Sequence, residues 1–157
     1  MKPFLPEYQN LLILKAFTKL YAMPGVRLGY ALCASEMLLD QMRMAGQPWG
    51  VSFPAQMAGI AALGESAYVQ EVRGLIAGER PKLEAELKSL GLHVIPGEAN
   101  YLLFRSDVPL LEPLRRKGIL LRSCADYRGL DERWYRTAVR NAADNRRLIA
   151  AIREVLL

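Results

Sequence analysis

Two short apolar runs, residues 11–17 (LLILKAF) and residues 28–34 (LGYALCA), stand out in the first third of the chain. Nearly continuous apolar runs of this length are typical of strands that are buried on both faces of a sheet. Pro24 and Gly25 lie between the two runs and predict a turn. We therefore expect two neighbouring buried strands joined by a tight connection.

The middle of the chain has helical spacing, and three helices are predicted over residues 35–44, 52–63 and 68–90. Ser35 precedes the first of them and is placed to accept a hydrogen bond from its free N–H groups. Pro54 falls in the first turn of the second helix, where proline is tolerated. Pro81 lies inside the third, so we expect that helix to break or kink near residues 78–81.

The last third of the chain changes to short apolar segments that predict strands. These segments are HVIPG, NYLLFR, GILLRSC and YRTAVR. A helix is predicted over residues 108–117, and Asn141 is placed to cap a final helix. The pattern predicts a small α+β domain over residues 93–157, with a mostly antiparallel sheet and its helices on one face.

The organisation of the chain indicates part of a larger fold. Two strands do not make a sheet with an interior, yet residues 11–17 have the composition of an interior strand. We expect residues 1–65 to be the remnant of a large domain and residues 66–92 to be a linking helix. Residues 93–157 are then the C-terminal small domain.

Composition and charge narrow the function classes. Hydrophobic residues make up 52% of the chain and charged residues 24%, which permits a packed core. The net charge of +5 is spread along the sequence rather than concentrated in a stripe with aromatic residues, which argues against nucleic-acid binding. Two cysteines and one histidine argue against a disulfide scaffold, a zinc site and a Ser–His triad.

Membrane and export signals are not evident in the sequence. No apolar run approaches the roughly 20 residues of a membrane-spanning helix. The first ten residues, MKPFLPEYQN, lack the apolar centre of a signal peptide. The expected setting is therefore the cytoplasm, with no membrane partner.

Lys19 follows the first apolar run, in a stretch that contains no acidic residue. One interpretation is an exposed lysine at a strand end. The other is a desolvated amine that reacts with a carbonyl to form a Schiff base.

Thr18 offers a hydroxyl and Arg27 a planar guanidinium suited to phosphate. Gly25 and Gly29 are expected to let the backbone turn tightly. An aldehyde cofactor that carries a phosphate, such as pyridoxal phosphate, matches this set.

The segment FTKLYAMPGVRLGY resembles the lysine segment of fold-type I pyridoxal-phosphate enzymes. The resemblance implies an α/β fold, of which this chain would hold the last strands of the large-domain sheet and the small domain. It implies pyridoxal 5′-phosphate as the cofactor, Lys19 as the Schiff-base and catalytic residue, Thr18 and Arg27 as phosphate ligands, and a homodimer. One departure is Ala16, where the family often has Ser or Thr.

The resemblance extends to the C-terminal part. GEANYLLF is similar to the segment in which histidinol-phosphate aminotransferases and their relatives place an asparagine near the substrate, here Asn100. GILLRSCADYRGLDERWYRTAVR resembles threonine-phosphate decarboxylases of the cobalamin pathway. Their two arginines, which hold the substrate's carboxylate and phosphate, correspond to Arg122 and Arg136. The implied reaction is decarboxylation of threonine phosphate, with an aminotransferase as the alternative.

The residues themselves leave another interpretation of these arginines open. A cation within a strand is costly unless an anion meets it, but arginines on an edge strand can simply face water. Arg140, next to the predicted Asn141 cap, is the better candidate for a water-facing arginine. Cys124 is interpreted as a packing residue, and the segment around Asp126 as a turn.

The resemblance also implies parts that this sequence does not contain. These are an upstream turn for the cofactor phosphate, an aromatic residue stacked on the pyridine ring and an acid paired with its nitrogen. Glu7, Glu36 and Asp40 are not placed to replace that acid. The chain alone is therefore expected to be inactive. The remaining alternative is a non-catalytic module for dimerisation or protein binding.

Overall fold

Twelve short elements follow one another along the chain. A computed structural model describes residues 2–157, which divide into one compact unit through Gln70 and a second from Glu71 onward. The elements are a 3-10 helix Lys2–Phe4, β1 Ile13–Ala16, β2 Gly29–Leu32, α1 Glu36–Ala45, α2 Phe53–Gly64, α3 Ser66–Ser89, β3 His93–Ile95, β4 Tyr101–Arg105, α4 Leu111–Arg116, β5 Arg122–Ser123, β6 Trp134–Ala138 and α5 Ala142–Leu156. None of the described helices combines the length and the apolar character needed to cross a membrane.

The first unit contains the predicted strand pair. β1 and β2 are antiparallel neighbours, with Ala16 opposite Gly29 in the register. The two helix starts predicted from sequence are confirmed. The Ser35 hydroxyl accepts a hydrogen bond from the Leu38 N–H (3.2 Å) at the start of α1, and Ser52 does the same at the start of α2.

The predicted burial of the first strand is wrong for this chain. Within β1 the side chains of Leu14, Lys15 and Ala16 are exposed, and Leu14 retains 72% of its accessible surface. The reason is that β2 is the only strand paired with β1 among residues 2–157. Both strands are also shorter than predicted.

The predicted break at Pro81 is also wrong, because α3 runs without interruption from Ser66 to Ser89. A proline inside a helix removes one backbone hydrogen bond and crowds the preceding turn. Pro81 is exposed, whereas Leu83 and Leu87 that follow it are buried in the core of the second unit. Packing of these leucines holds the second half of the helix in place.

The second unit is built on a four-stranded antiparallel sheet in the order β3-β4-β6-β5, as predicted. One face of this sheet carries buried side chains that form a core with leucines and isoleucines of α3, α4 and α5. The strand members of this core are Val94, Leu102, Phe104 and Tyr135. β5 is only two residues long, because residues 119–121 are not paired with β6. We call the opposite side of the sheet the outer face.

Candidate active site

A loop between β1 and β2 carries the predicted cofactor residues. We call residues 17–28 the lysine loop. Its ends are joined by a hydrogen bond from the Phe17 N–H to the Leu28 carbonyl (3.1 Å), and the Met23 N–H donates back to the Phe17 carbonyl (3.2 Å). The Phe17 ring is buried and stacks on Tyr21, with 5.0 Å between the ring centres. Phe17 therefore anchors the loop through both its backbone and its ring.

The lysine loop packs on α2 at a glycine. A Cβ added to Gly59 would lie 2.5 Å from a methyl carbon of Leu28 and 3.8 Å from the Phe17 ring. Neighbouring positions on the same side of the helix are alanines, Ala55 and Ala62, and both are buried. The small residues of this helix thus allow the lysine loop to pack closely against it.

Lys19 lies in the turn that follows β1, outside any helix. Its side chain is exposed, so the residues described here do not give it the apolar surroundings considered from sequence. Thr18 beside it is partly buried. Arg27 is exposed, and its Nη1 donates a hydrogen bond to the Pro24 carbonyl (3.1 Å). The loop holds an amine, a hydroxyl and a guanidinium close together in sequence.

The backbone of the lysine loop has positive φ angles at two residues that are not glycine. Ala22 and Arg27 have positive φ angles of 51° and 56°, a region that residues with a side chain seldom adopt. Such conformations concentrate at ligand sites. Gly25 has no close neighbour that would exclude a side chain, so its predicted role is wrong. Gly29 is required as expected, since a Cβ there would lie 2.8 Å from the Lys15 carbonyl oxygen.

These residues fit two ends of pyridoxal phosphate. The Lys19 amine suits the aldehyde, while the Thr18 hydroxyl and the Arg27 guanidinium suit the phosphate. The strained backbone at Arg27 fixes the direction in which that side chain leaves the loop. Residues 17–28 include no acid for the pyridine nitrogen. The chemistry of these side chains therefore matches the reactive and phosphate ends of the cofactor.

A second group of predicted residues meets on the sheet of the second unit. Arg122 in β5 and Arg136 in β6 are directly opposite in the antiparallel register. Tyr135 and Thr137, which flank Arg136, point into the core, so both arginines lie on the outer face. Like charges directly opposite on neighbouring strands are unfavourable without a counter-charge. The pair is therefore an arrangement suited to an anion.

The two guanidiniums have different partners. Arg122 forms an ion pair with Asp126, and its guanidinium carbon lies 5.9 Å from the centre of the Tyr127 ring. The charge of Asp126 raises the pKa of the Arg122 guanidinium above its usual value. Arg136 lies over the Tyr101 ring, 4.9 Å from its centre, and forms no ion pair within residues 2–157. Of the two arginines, Arg122 alone is thus paired with a carboxylate among the described residues.

Asn100 lies in the bend that immediately precedes β4, the neighbour of β6. Its carbonyl accepts a hydrogen bond from the Val139 N–H (2.9 Å), and this bond extends the pairing of β4 with β6. The Asn100 residue is exposed. The structure therefore places Arg122 and Arg136 on adjacent strands of one sheet and Asn100 just before the next strand, β4. Lys19, Thr18 and Arg27 form a separate group in the first unit.

Three other sequence interpretations are supported. Arg140 pairs with Asp144 (2.7 Å) at the exposed start of α5, as expected for a water-facing arginine. Cys124 is buried, and this burial raises the pKa of its thiol, which suits a packing residue rather than a nucleophile. The turn around Asp126 is confirmed by a hydrogen bond from the Tyr127 N–H to the Cys124 carbonyl (3.0 Å).

Two residues of this site were not anticipated from the sequence. Asp126 was interpreted only as part of a turn, and Tyr101 only as part of a strand. The pairing of Asp126 with Arg122 runs across an irregular loop, for which no spacing rule exists. The contact of Tyr101 with Arg136 depends on the strand register, which became known only with the structure.

Comparison with known proteins shows the family to which the chain belongs. The family model described as aminotransferase class I and II matches residues 2–152. The chain belongs to this family. A threonine-phosphate decarboxylase from Salmonella typhimurium is 42% identical over 98% of the chain, and histidinol-phosphate aminotransferase 2 from Archaeoglobus fulgidus is 37% identical over 95% of it. The chain spans 43% and 44% of the lengths of these two family members.

Solved structures of the family show the same α/β fold. The crystal structure of the histidinol-phosphate aminotransferase from Clostridium acetobutylicum covers 99% of this chain with a TM-score of 0.94 at 28% identity, and the chain covers 48% of it. A histidinol-phosphate aminotransferase from Sinorhizobium meliloti, solved in complex with pyridoxal-5′-phosphate, covers 94% of the chain with a TM-score of 0.81 at 25% identity; the chain covers 41% of it. The predicted fold-type I class is confirmed, and the family is one of pyridoxal-phosphate enzymes.

Proposed function

We propose that this sequence is part of a pyridoxal-phosphate enzyme that decarboxylates L-threonine O-3-phosphate. The opposed pair Arg122 and Arg136, with a single internal carboxylate, carries the proposal, because this substrate has two anionic groups. The 42% identity to a threonine-phosphate decarboxylase over 98% of the chain supports it. Since the chain spans 43% of that relative, the activity is assigned to the whole protein, which we expect to be a homodimer.

The lysine loop would hold the cofactor. Lys19 would bind its aldehyde carbon through Nζ, and the Thr18 hydroxyl and Arg27 guanidinium would donate hydrogen bonds to its phosphate. When bound, the cofactor supplies a ring that accepts the electron pair of the bond broken at the substrate's Cα. With its amine free, Lys19 would return a proton to the substrate's Cα.

The outer face of the sheet would hold the substrate. Arg136 in the central strand β6 would bind the carboxylate and Arg122 at the edge would bind the phosphate, each through its planar fork of N–H donors. Holding both ends of the substrate would restrict rotation about the bonds at its Cα. Asn100 would contribute a further hydrogen bond from the bend that precedes β4. These contacts orient the substrate without taking part in proton transfer.

An aminotransferase that acts on a phosphorylated amine is the second candidate. The 37% identity to a histidinol-phosphate aminotransferase and the TM-score of 0.94 to another favour it. In that reaction the Cα–H bond is aligned for cleavage, and Lys19 moves the proton. The same arginines could serve either substrate, because both carry a phosphate.

One experiment separates these functions. The full-length enzyme that contains this sequence would be supplied separately with O-phosphothreonine and with histidinol phosphate plus a keto acid. Carbon dioxide release from the first substrate supports the decarboxylase, and amino transfer from the second supports the alternative. A full-length protein that binds no pyridoxal phosphate, judged by visible absorbance, would instead indicate a non-catalytic module.

A further inference from the structure

The Arg122 guanidinium is already engaged by an internal anion. Asp126 lies four residues further along the chain, and the turn after β5 brings its Oδ2 to Arg122 Nη2. The Tyr127 ring lies on the same guanidinium, 5.9 Å from its carbon. Any external anion that binds Arg122 must therefore compete with a carboxylate that belongs to the protein.

The ion pair between Arg122 and Asp126 is weak enough for a substrate's phosphate to displace the carboxylate. About half of the Arg122 side chain and 61% of the Asp126 side chain remain exposed. Ion pairs with this exposure are weak because water and salt screen them. A phosphate carries close to two charges and three acceptor oxygens, so it exceeds a single carboxylate in its attraction for a guanidinium.

Arg136, the other arginine of the pair, has no carboxylate that competes for it among the described residues. Arg136 rests on the Tyr101 ring, which leaves its N–H donors available, and it has no carboxylate within residues 2–157. The two cations of the site therefore differ before any ligand arrives. Arg136 has no carboxylate partner among the described residues, whereas Arg122 is paired with Asp126.

We propose that Asp126 is a positioning residue that occupies Arg122 until a phosphate group displaces it. This inference rests on the proposed function, since it assumes that Arg122 receives the substrate's phosphate. Its consequence is that free carboxylates and other weak anions are kept off the phosphate position. The released Asp126 carboxylate moves into water, which its place in an exposed turn allows.

The test uses the full-length enzyme with ¹⁵N-labelled arginine and follows the Nε–Hε signal of Arg122 by NMR. The probes are inorganic phosphate and, as a weak anion, acetate. For Asp126→Asn we expect the apparent affinity for phosphate to rise about two- to fivefold, the scale of one exposed ion pair. We also expect acetate to shift the signal at concentrations that leave the unmodified chain unchanged. Asp126→Glu should restore the original behaviour.

Controls separate this inference from the proposed function. Asp107→Asn removes an exposed carboxylate that pairs with Arg105 (2.7 Å) and should leave the phosphate affinity unchanged. If Arg122→Ala keeps full phosphate affinity, the role of Arg122 in the proposed function is wrong. If Arg122→Ala loses that affinity but Asp126→Asn leaves it equal or weaker, the proposed function stands and the role given to Asp126 is overturned.

Discussion

The guanidinium carbon of Arg136 lies 4.9 Å from the centre of the Tyr101 ring. The contact is diagonal across β4 and β6, because Tyr101 is paired with Ala138 and Arg136 with Leu103. A cation over an aromatic face is attracted by the negative charge density of the ring. Tyr101 therefore limits the directions in which Arg136 can point on the outer face.

Replacing Tyr101 with leucine should loosen Arg136 without removing its charge. We expect binding of O-phosphothreonine to the full-length enzyme to weaken about two- to fivefold, the scale of an exposed cation–aromatic contact. Tyr101→Phe keeps the aromatic face and should bind normally. Titration by calorimetry would measure both variants. Equal weakening in both would show that the hydroxyl, rather than the ring, is what matters.

Lys19→Ala should abolish cofactor attachment and turnover together in the full-length enzyme, since Lys19 is the amine of the lysine loop. Lys15→Ala is the matched control, because Lys15 is also exposed and lies four residues earlier on β1. The visible absorbance of the bound cofactor and peptide mapping after borohydride reduction would report the outcome. Attachment that persists at another lysine would contradict the assignment.

Two substitutions of Arg27 separate its effect on backbone strain from its effect on cofactor binding. Both Arg27→Ala and Arg27→Gly should weaken cofactor binding by roughly 10- to 100-fold, the usual effect of losing a charged donor to phosphate. Because φ at this position is 56°, the glycine variant should be more stable than the alanine variant by about 1 kcal/mol. Thermal unfolding and cofactor titration would test the two effects independently. Equal stability would show that the turn relaxes when the arginine is lost.

An apolar face of α2 is expected to make this chain self-associate or bind a partner. Large side chains on this helix keep half or more of their surface exposed, namely Phe53, Met57, Ile60 and Leu63. Proteins that are monomeric in solution seldom expose contiguous apolar patches of this kind. Sedimentation velocity across a concentration series should therefore show species larger than the monomer, with binding of a dye that reports apolar surface.

Substitution at the centre of that face tests the mechanism. Ile60→Lys should reduce association and dye binding, because it places a charge among the apolar side chains. Ala61→Lys adds the same charge at the adjacent exposed position and should have a smaller effect. A clean monomer at high concentration without dye binding would refute the expectation.

Pro81→Ala should stabilise the second unit. The proline denies α3 one backbone hydrogen bond although the helix continues past it. Restoring that bond at an exposed position is expected to raise the free energy of unfolding by about 1–3 kcal/mol. Lys82→Ala, which removes an exposed ion pair with Glu79, should change stability little. Denaturant unfolding would compare them, and no gain for Pro81→Ala would mean that the helix has adapted to the proline.

Much of the fold could be predicted because its signals are local. Ser35, Ser52 and Asn141 each start a helix through a side chain that accepts a nearby N–H, and such caps are readable in the sequence. The antiparallel sheet followed from alternating segments separated by turns. The exposure of Leu14 and the continuity of α3 through Pro81 could not be predicted from the sequence. Both depend on which other elements pack nearby.

The site was predictable in its charged residues and not in their surroundings. Arg122 and Arg136 were identified by motif, but their direct pairing required the register of β5 with β6. The positive φ angles at Ala22 and Arg27 carry no glycine signal and were missed for that reason. Asp126 was missed because an ion pair formed across an irregular turn leaves no periodic trace.

The two strands that carry the paired arginines differ in how firmly they are held. β6 lies between two neighbours, whereas β5 is a two-residue edge strand, followed by a hydrogen bond from the Cys124 N–H to the Trp134 carbonyl (2.9 Å). Edge segments with few backbone bonds open by local fluctuation far more often than central strands. Amide hydrogen exchange should therefore be fast around Arg122 and slow around Arg136. An anion that bridges Arg122 and Arg136 would slow amide exchange in β5 alone, because β6 is already protected. Exchange in β5 would therefore report whether the anion site is occupied.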